Sequence, residues 1–503
     1  MEREPDRRLH PLSLLLNLGA TLKDLLIPLA VAFFFARSDK FRLIVPAVIG
    51  LIASAAAVLK YLSYSYRYDE DDLVVREGMI FRNERHIPYN RIQNIDAVQN
   101  VVHRMFNVAV VQVQTGSSSE PEATMNVLPM RELAEMRQRV LVERRAIVAT
   151  GDSDEVVAEP VARPEPRRVL HLPPRELLIA GFIEYRGLAL FAAAFGLLAQ
   201  GDLIEDLVER VLPEVKPSLD RVVPAAMPSA TSAVVGITML ILFALIAVRI
   251  LSTLWTLIRL HDFTVVRDGN DLRTEYGLFT RVTATIPVQR VQTISIHQRW
   301  LHRKFGRAAI RVTTAGANGI PGEGKTTADR EWLAPIIPVA AVRALIHEID
   351  PSLELERVEW TKAHPRAALR ITRVHLLVVA LIAIVLAFLI GWWTLLVAGL
   401  LGFWGLVSAR GIAANLGTAI VGDRVAFRSG WLHQVVSVAP FERIQSASWY
   451  QSFLDRRNAM ATVSVDTAGM GQSGLGMGYL PEATAMRLQL ELAQAAARAP
   501  FTW

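Results

Sequence analysis

Cysteine is absent from the 503 residues, so the chain uses neither disulfides nor thiol chemistry, though this does not identify a compartment. No H-E-x-x-H motif occurs. His297 and His302 lie five residues apart, the wrong spacing for one helical face, so no metal is expected. G-x-S-x-G is absent as well, and no other nucleophile with its base can be read from the pattern. The chain is therefore expected to be no enzyme and to carry no cofactor. Charge is sparse, at 20% of residues against 52% hydrophobic, which is more apolar than one soluble domain needs.

What the chain does have is long apolar runs. Runs of about 20 residues match the hydrocarbon thickness a helix must cross, where backbone polar groups find partners only within their own helix. Six such runs fall in three pairs: 18–36 with 41–59, 178–199 with 231–248, and 374–391 with 392–409. The second run of each pair ends on a cation, Lys60, Arg249 or Arg410, as expected of side chains that snorkel to headgroups. A hairpin returns the chain to the side it left, so everything between hairpins shares one compartment.

The flanks on that side are rich in arginine, including Arg7, Arg8, Arg67, Arg167, Arg168, Arg366, Arg370 and Arg373. The opposite loop, 200–229, carries six acids against three bases. The positive-inside bias then predicts a cytoplasmic N-terminus and cytoplasmic segments between hairpins, although the short Arg37/Lys40 turn runs against it. The net charge of +6 is explained by this topology, and no nucleic-acid partner is expected. Arg7-Arg8 before an apolar run resembles a targeting signal. Cleavage is rejected because Lys23 and Asp24 interrupt the run and a second span follows.

Three stretches after the hairpins repeat one another: Pro88-Tyr89-Asn90-Arg91-Ile92-Gln93, Pro287-Val288-Gln289-Arg290-Val291-Gln292 and Pro440-Phe441-Glu442-Arg443-Ile444-Gln445. Their shared core is P-x-x-R-[IV]-Q. Counted from each proline, a glycine stands at minus 10 (Gly78, Gly277, Gly430) and a glutamine at plus 11 (Gln99, Gln298, Gln451). An arginine follows at plus 16 (Arg104, Arg303, Arg456) and a threonine at plus 27 (Thr115, Thr314, Thr467). Such self-similarity defines the architecture before any local motif is weighed. The copies are unequally spaced, which excludes a regular solenoid. The alternation in Ile310-Arg311-Val312-Thr313 and Val463-Ser464-Val465-Asp466 predicts half-buried strands. The minus 10 glycines read as hairpin turns. A short helical turn is expected near Val101–Phe106 and Trp300–Phe305, and an amphipathic helix over 481–497.

The paired helices followed by P-x-x-R-[IV]-Q, the plus 11 glutamine and the terminal Thr-(Ala)-Gly resemble the bacterial pleckstrin-homology-like membrane proteins of the YdbS/YdbT type. Three copies resemble the longer, YdbT-like members. The resemblance implies an α+β membrane protein with six transmembrane helices in three hairpins. Each hairpin is followed by a PH-like antiparallel β-barrel or sandwich capped by a C-terminal helix, on the cytoplasmic face of the bacterial plasma membrane. The family offers no catalytic residue to carry over. The expected layout is a first hairpin at 1–62, a module at 63–148, a Pro-rich linker at 149–176 and a second hairpin at 177–259. A second module at 260–350, a third hairpin at 351–410 and a third module at 411–503 complete it. The third copy departs at Asp455 and Asn458, where the others have His103/His302 and Phe106/Phe305.

Gly319-Ile320-Pro321-Gly322-Glu323-Gly324-Lys325-Thr326 satisfies the P-loop pattern, but no buried parallel strand and following helix frame it. The other copies fill the same loop with Ser117-Ser118-Ser119 and Gly471-Gln472-Ser473, so a Gly-rich hairpin loop is the preferred reading. Arg91, Arg290 and Arg443 are candidates for lipid headgroups or an acidic partner. A structural role, bonding backbone carbonyls at a turn, is preferred because nothing in the sequence converges on a phosphate. Arg299, Arg303, Lys304, Arg307 and Arg311 form a basic cluster suited equally to lipid contact and to a solvated face. The intramembrane polar residues Lys23, Asp24, Glu184 and Arg186 are expected to knit helices together. The function these features suggest is a non-enzymatic platform for membrane lipids and another membrane protein of the same family. The alternative is a transport-related or protective role against membrane-active peptides.

Overall fold

The computed structural model describes all residues except 1–4, 16–17, 20–47, 52–53, 56, 60, 79–81, 116–121, 151–165, 185–228, 315–331, 356–357, 469–474 and 499–503. Lys23, Asp24, Arg186, the Gly319–Thr326 loop and most of the first hairpin lie outside the described residues.

Each copy of the repeat builds two sheet segments. In copy 1, β1 (Ser65–Tyr68), β2 (Asp72–Glu77) and β3 (Asn83–Pro88) make the first. β4 (Ile92–Gln99), β5 (Val108–Thr115) and β6 (Ala123–Pro129) make the second, followed by the helix Met130–Thr150. Copy 2 has β7 (Arg167–His171), β8 (Thr264–Asp268), β9 (Asp271–Tyr276) and β10 (Arg281–Pro287), then β11 (Val291–Arg299), β12 (Arg307–Thr314) and β13 (Trp332–Pro338). Copy 3 has β14 (Thr361–Lys362), β15 (Gly417–Val421), β16 (Arg424–Ser429) and β17 (His433–Pro440), then β18 (Ile444–Tyr450), β19 (Met460–Thr467) and β20 (Leu475–Pro481). The helix Glu482–Arg498 closes the chain.

The shared motif is the corner between the two segments. Its proline precedes a single 3-10 turn (Tyr89–Arg91, Val288–Arg290, Phe441–Arg443), where a fixed φ and a missing N–H cost nothing. The [IV] residue opens the next strand and faces the plus 27 threonine: Ile92 opposite Thr115, Val291 opposite Thr314, Ile444 opposite Thr467. The glutamine between them has no partner in the ladder, so it is the extra residue of a β-bulge in every copy. A bulge bends and twists its strand, and that bend carries the chain from one sheet into another.

The minus 10 glycines are the turns the pattern predicted. Gly78, Gly277 and Gly430 have φ of 91°, 113° and 88°. A Cβ on Gly277 would run into the Thr280 carbonyl, and one on Gly430 into that of His433. Only glycine reaches this conformation without strain.

Two corrections to the expected architecture follow. No sheet among the described residues closes into a barrel. Instead, the second segment of one copy joins the first segment of the next edge to edge, giving seven-stranded sheets in the orders β6-β5-β4-β10-β9-β8-β7 and β13-β12-β11-β17-β16-β15-β14. Three-stranded sheets, β1-β2-β3 and β18-β19-β20, remain at the two ends. Within a copy, the two segments share one apolar core. Tyr68, Leu73 and Ile87 meet Val111, Met125 and Met136 in copy 1, and Phe427 and Ala439 meet Val463, Leu480 and Leu488 in copy 3.

The second correction concerns where a copy begins. Residues 149–176, expected as a linker, contain β7, which pairs with β8 across residues 172–263. β14 likewise pairs with β15 across the helices Ala367–Ile390 and Trp393–Asn415, and an isolated bridge joins Arg7 to Tyr66. In copies 2 and 3 residues 172–263 and 363–416 are therefore inserted between the first two strands of their own sheets. There both ends of the inserted segment are held by one ladder.

Three described helices are long and apolar enough to span a membrane: Leu242–Arg259, within the helix Ser229–Arg259, then Ala367–Phe388 and Trp393–Asn415. The run expected at 178–199 is described only through the helix Pro174–Ile183 and its cap, Glu184. Leu377, Val385, Phe388, Leu395 and Phe403 are more than half exposed, an outer surface suited to lipid rather than water. Gly391 (φ 57°) turns between the last two helices, where Trp392 and Trp393 stack with ring centroids 4.2 Å apart, as in an interfacial aromatic belt.

Candidate functional site

The repeat's marker residues converge on the two joints between copies. At joint 1, Gln99, Val98 and Ala97 of β4 face Arg281, Val282 and Thr283 of β10. At joint 2, six residues of β11, Ile294 to Arg299, face Val438 to His433 of β17. Both joints use one register: the plus 11 residue faces the minus 6 residue, as Gln99 faces Arg281 and Gln298 faces Gln434.

The plus 16 arginine clasps each joint from the side. Arg104 donates to the Leu278 carbonyl, and Arg303 donates to the Trp431 carbonyl at 2.7 Å. Both acceptors follow the turn glycine directly, and both turns rest on membrane helices. The Leu278 N–H donates to the Ile258 carbonyl at 2.9 Å, and that of Gly277 to His261 at 2.8 Å. Trp431 covers Gly411, where a Cβ would strike its ring, and lies 5.6 Å from Trp404. One turn thus ties a membrane helix, its own sheet and the preceding copy.

Buried ion pairs add a second tether. Arg307 holds Glu176, at the start of the Pro174–Ile183 helix, with two hydrogen bonds of 2.7 and 2.9 Å. Glu176 is 4% exposed. In copy 3, Arg370 of the helix Ala367–Ile390 donates to Asp455 at 3.0 Å. This explains why copy 3 departs at that position: the first two copies bury His103 and His302 there, and the third buries a carboxylate that holds its hairpin.

The predicted site residues separate accordingly. Arg443 donates to the Gln289 carbonyl across joint 2 at 2.6 Å. Arg290 is half-buried in its 3-10 turn, and Arg91 is exposed. Of the basic cluster, Arg303 and Arg307 belong to the joint and the tether. Arg311 lies over the Trp332 ring at 4.0 Å and Lys304 near the Trp300 ring at 5.9 Å. Arg299 faces His433 at the end of joint 2. Glu184 caps its helix, and its carbonyl accepts from Ser252 at 3.0 Å. Arg91, Arg290 and Arg443 are thus not drawn to one point.

Joint 2 also contains features no sequence pattern announced. His297 and His433 stack across it, with ring nitrogens 3.2 Å apart. Burial first, then Arg311, His433 and Arg299, pushes His297 down to about 3. Burial pushes His302 down to about 4, and His433 is lowered by burial and by Arg299 and Arg311. Ser295 and Ser437 hydrogen-bond across the same ladder at 2.9 Å. Beside it lies a cavity of about 380 Å³, half-open, walled by Ile296, Val342, Leu353 and Trp360, with Gln298, Gln434, Arg343, Arg428 and Glu354 at its polar side. A recurrence at matched offsets on both sides, plus 11 with minus 6, is the signal from which the joints could have been inferred.

These features define a row of antiparallel β modules built onto membrane helices, and comparison with known proteins gives the class. The profile of the bacterial PH domain matches residues 14–144, 218–352 and 369–496, three times along the chain, and the chain belongs to that family. A similar protein is the UPF0699 transmembrane protein YdbT of Bacillus subtilis (strain 168), 23% identical over 487 residues, which cover 92% of this chain and 93% of that protein. No solved structure matches. The chain is a membrane protein with three bacterial PH repeats.

Proposed function

We propose that this protein is a non-enzymatic scaffold of the bacterial plasma membrane, with its three modules cytoplasmic, presenting them as a platform for anionic lipid and for a membrane protein of the same family. One observation carries this reading. The residues repeated in register, from turn glycine to plus 16 arginine, hold the copies to one another and to the hairpins, so what the repeat encodes is a row of fixed shape. Orientation rests on arginine-rich flanks such as Arg366, Arg370 and Arg373 on the module side. Lipid contact rests on the exposed Lys304 beside exposed Trp300 and Phe305, a pairing of cation and aromatic suited to headgroups. The transport alternative needs a polar path between helices. Between the last two, His375 and Ser408 are engaged with each other and with the Gly405 carbonyl, which serves packing.

Purification in mild detergent followed by mass spectrometry of retained lipids and proteins tests the reading. Reproducible retention of anionic lipid and of a membrane partner is expected. A solitary chain indifferent to lipid would overturn it.

A further inference from the structure

The row ends on an unpaired strand at each side. Among the described residues, β3 has only β2 beside it and β18 only β19. These are the strands whose counterparts build the joints, β10 and β17 matching β3, and β4 and β11 matching β18. Burial records the difference. Ala97, at plus 9, is 5% exposed within joint 1, whereas Trp449 at the same offset is only half-buried. Ser437, at minus 3, is 6% exposed within joint 2, whereas Arg85 at the same offset is exposed.

We propose that β18 of one copy of this chain pairs with β3 of a second copy, in the register of the internal joints, so that chains assemble head to tail in the plane of the membrane. That register places Gln451 opposite Arg82, Tyr450 opposite Asn83 and Trp449 opposite Glu84. The first of these pairs repeats the residue types of Gln99 and Arg281 at joint 1.

The free edge of copy 3 is also prepared in the same manner as β4. Gln99 donates to the Val108 carbonyl at 2.8 Å, and Gln451 donates to the Met460 carbonyl at 2.9 Å. Arg137 donates to the Ile95 carbonyl at 3.0 Å, and Gln489 donates to the Ala447 carbonyl, at the same plus 7 offset, at 3.2 Å. Arg456, the counterpart of the clasping Arg104 and Arg303, is exposed and has no side-chain hydrogen bond among the described residues. Only the strand to be clasped is missing.

Edge strands are commonly protected by charge or proline. β18 carries neither, and its Tyr450 is 58% exposed. β3 does carry charge, but Glu84 is held by Arg76 of its own sheet at 2.9 Å, as Arg281 is held by Glu275 at 2.9 Å within joint 1. An internal joint already tolerates that arrangement. Because the two edges differ, the contact is heterologous and yields a closed ring or an open row. It forms whether or not the modules bind lipid or another protein.

The absence of cysteine makes the test direct. The full chain carrying Asn83→Cys and Tyr450→Cys is oxidised in native membranes and run without reductant. Facing residues on antiparallel strands bring their Cβ atoms within disulfide reach, so multiples of the chain mass are expected at about tenfold the yield of the out-of-register pair Asn83→Cys with Ser446→Cys. A ladder and a single ring-sized band both support the proposal. Arg456→Ala in the same background should lower the yield severalfold. The variant Val98→Cys with Val282→Cys, at matching offsets in joint 1, closes within one chain and certifies the chemistry. If that control closes while the edge pair stays monomeric, self-assembly is overturned. Crosslinks from either single variant, or at masses that are not multiples of the chain, would overturn it too. Retained lipid with a monomeric edge pair would leave the scaffold reading standing and remove only this one.

Discussion

Joint 1 and joint 2 use one register and one clasp, yet the first is three facing pairs long and the second six. A helix side chain makes the difference. In copy 1, Arg137 takes the Ile95 carbonyl, whereas Ile294 at the same offset faces Val438 in the ladder. Register is set by the corner motif and the turn, which every copy shares. Length is set by what the C-terminal helix of each copy places beside the strand. The comparison shows how one repeated sequence builds a short seam and a long one without changing how its strands meet.

The largest way to break the comparison acts on the copy both joints share. Arg307→Ala leaves Glu176 buried without its partner, and losing one member of a buried pair typically costs about 3–5 kcal/mol. Copy 2 should separate from its hairpin. Denaturation in detergent should show the loss, and Arg307→Ala combined with Glu176→Gln should recover part of it. A loss no greater than that of an exposed control such as Lys304→Ala would refute the tether.

A smaller effect separates the joints themselves. Arg104→Ala and Arg303→Ala each remove one charge-assisted hydrogen bond, worth about 1.5–3 kcal/mol. Joint 1 has the shorter ladder, so β4 and β10 amides should lose more hydrogen-exchange protection in Arg104→Ala than β11 and β17 amides lose in Arg303→Ala. Equal losses would mean that ladder length does not govern joint strength.

The smallest effect is one of pH and is concentrated at joint 2. His297, His302 and His433 have folded-state values below their ordinary one. The unfolded chain therefore binds more protons as pH falls through about 6.5, and stability drops as the solution is acidified toward the folded values. The slope is at most about 1.4 kcal/mol per pH unit for each histidine, and less where solvent reaches the ring. Hydrogen exchange between pH 7 and pH 5, corrected for intrinsic rates, should show β11 and β17 losing protection ahead of β10. His433→Gln should flatten the trend, and an unchanged trend would assign it elsewhere.

Much of this architecture was legible in the sequence. The minus 10 glycines marked the turns, since a positive φ selects glycine by sterics alone. The plus 27 threonine and the [IV] residue were visible as markers because each occupies a fixed place in the ladder of its own copy. What escaped notice was non-local. β7 lies in five residues of an apparent linker, and nothing near Arg167–His171 says that its partner waits more than ninety residues on, at Thr264–Arg267. Arg303 and Arg307 read as one basic patch, yet their side chains go to Trp431 and Glu176. Charge along the chain is local information, and choice of partner is not.

The sequence alone determined that three like units alternate with apolar segments, because steric rules for glycine and proline, strand periodicity and hydropathy act over a few residues. Only the tertiary structure decided that the units share their sheets instead of each closing its own. Ladder hydrogen bonds join whichever edges lie side by side, and the folded chain sets β4 beside β10 and β11 beside β17.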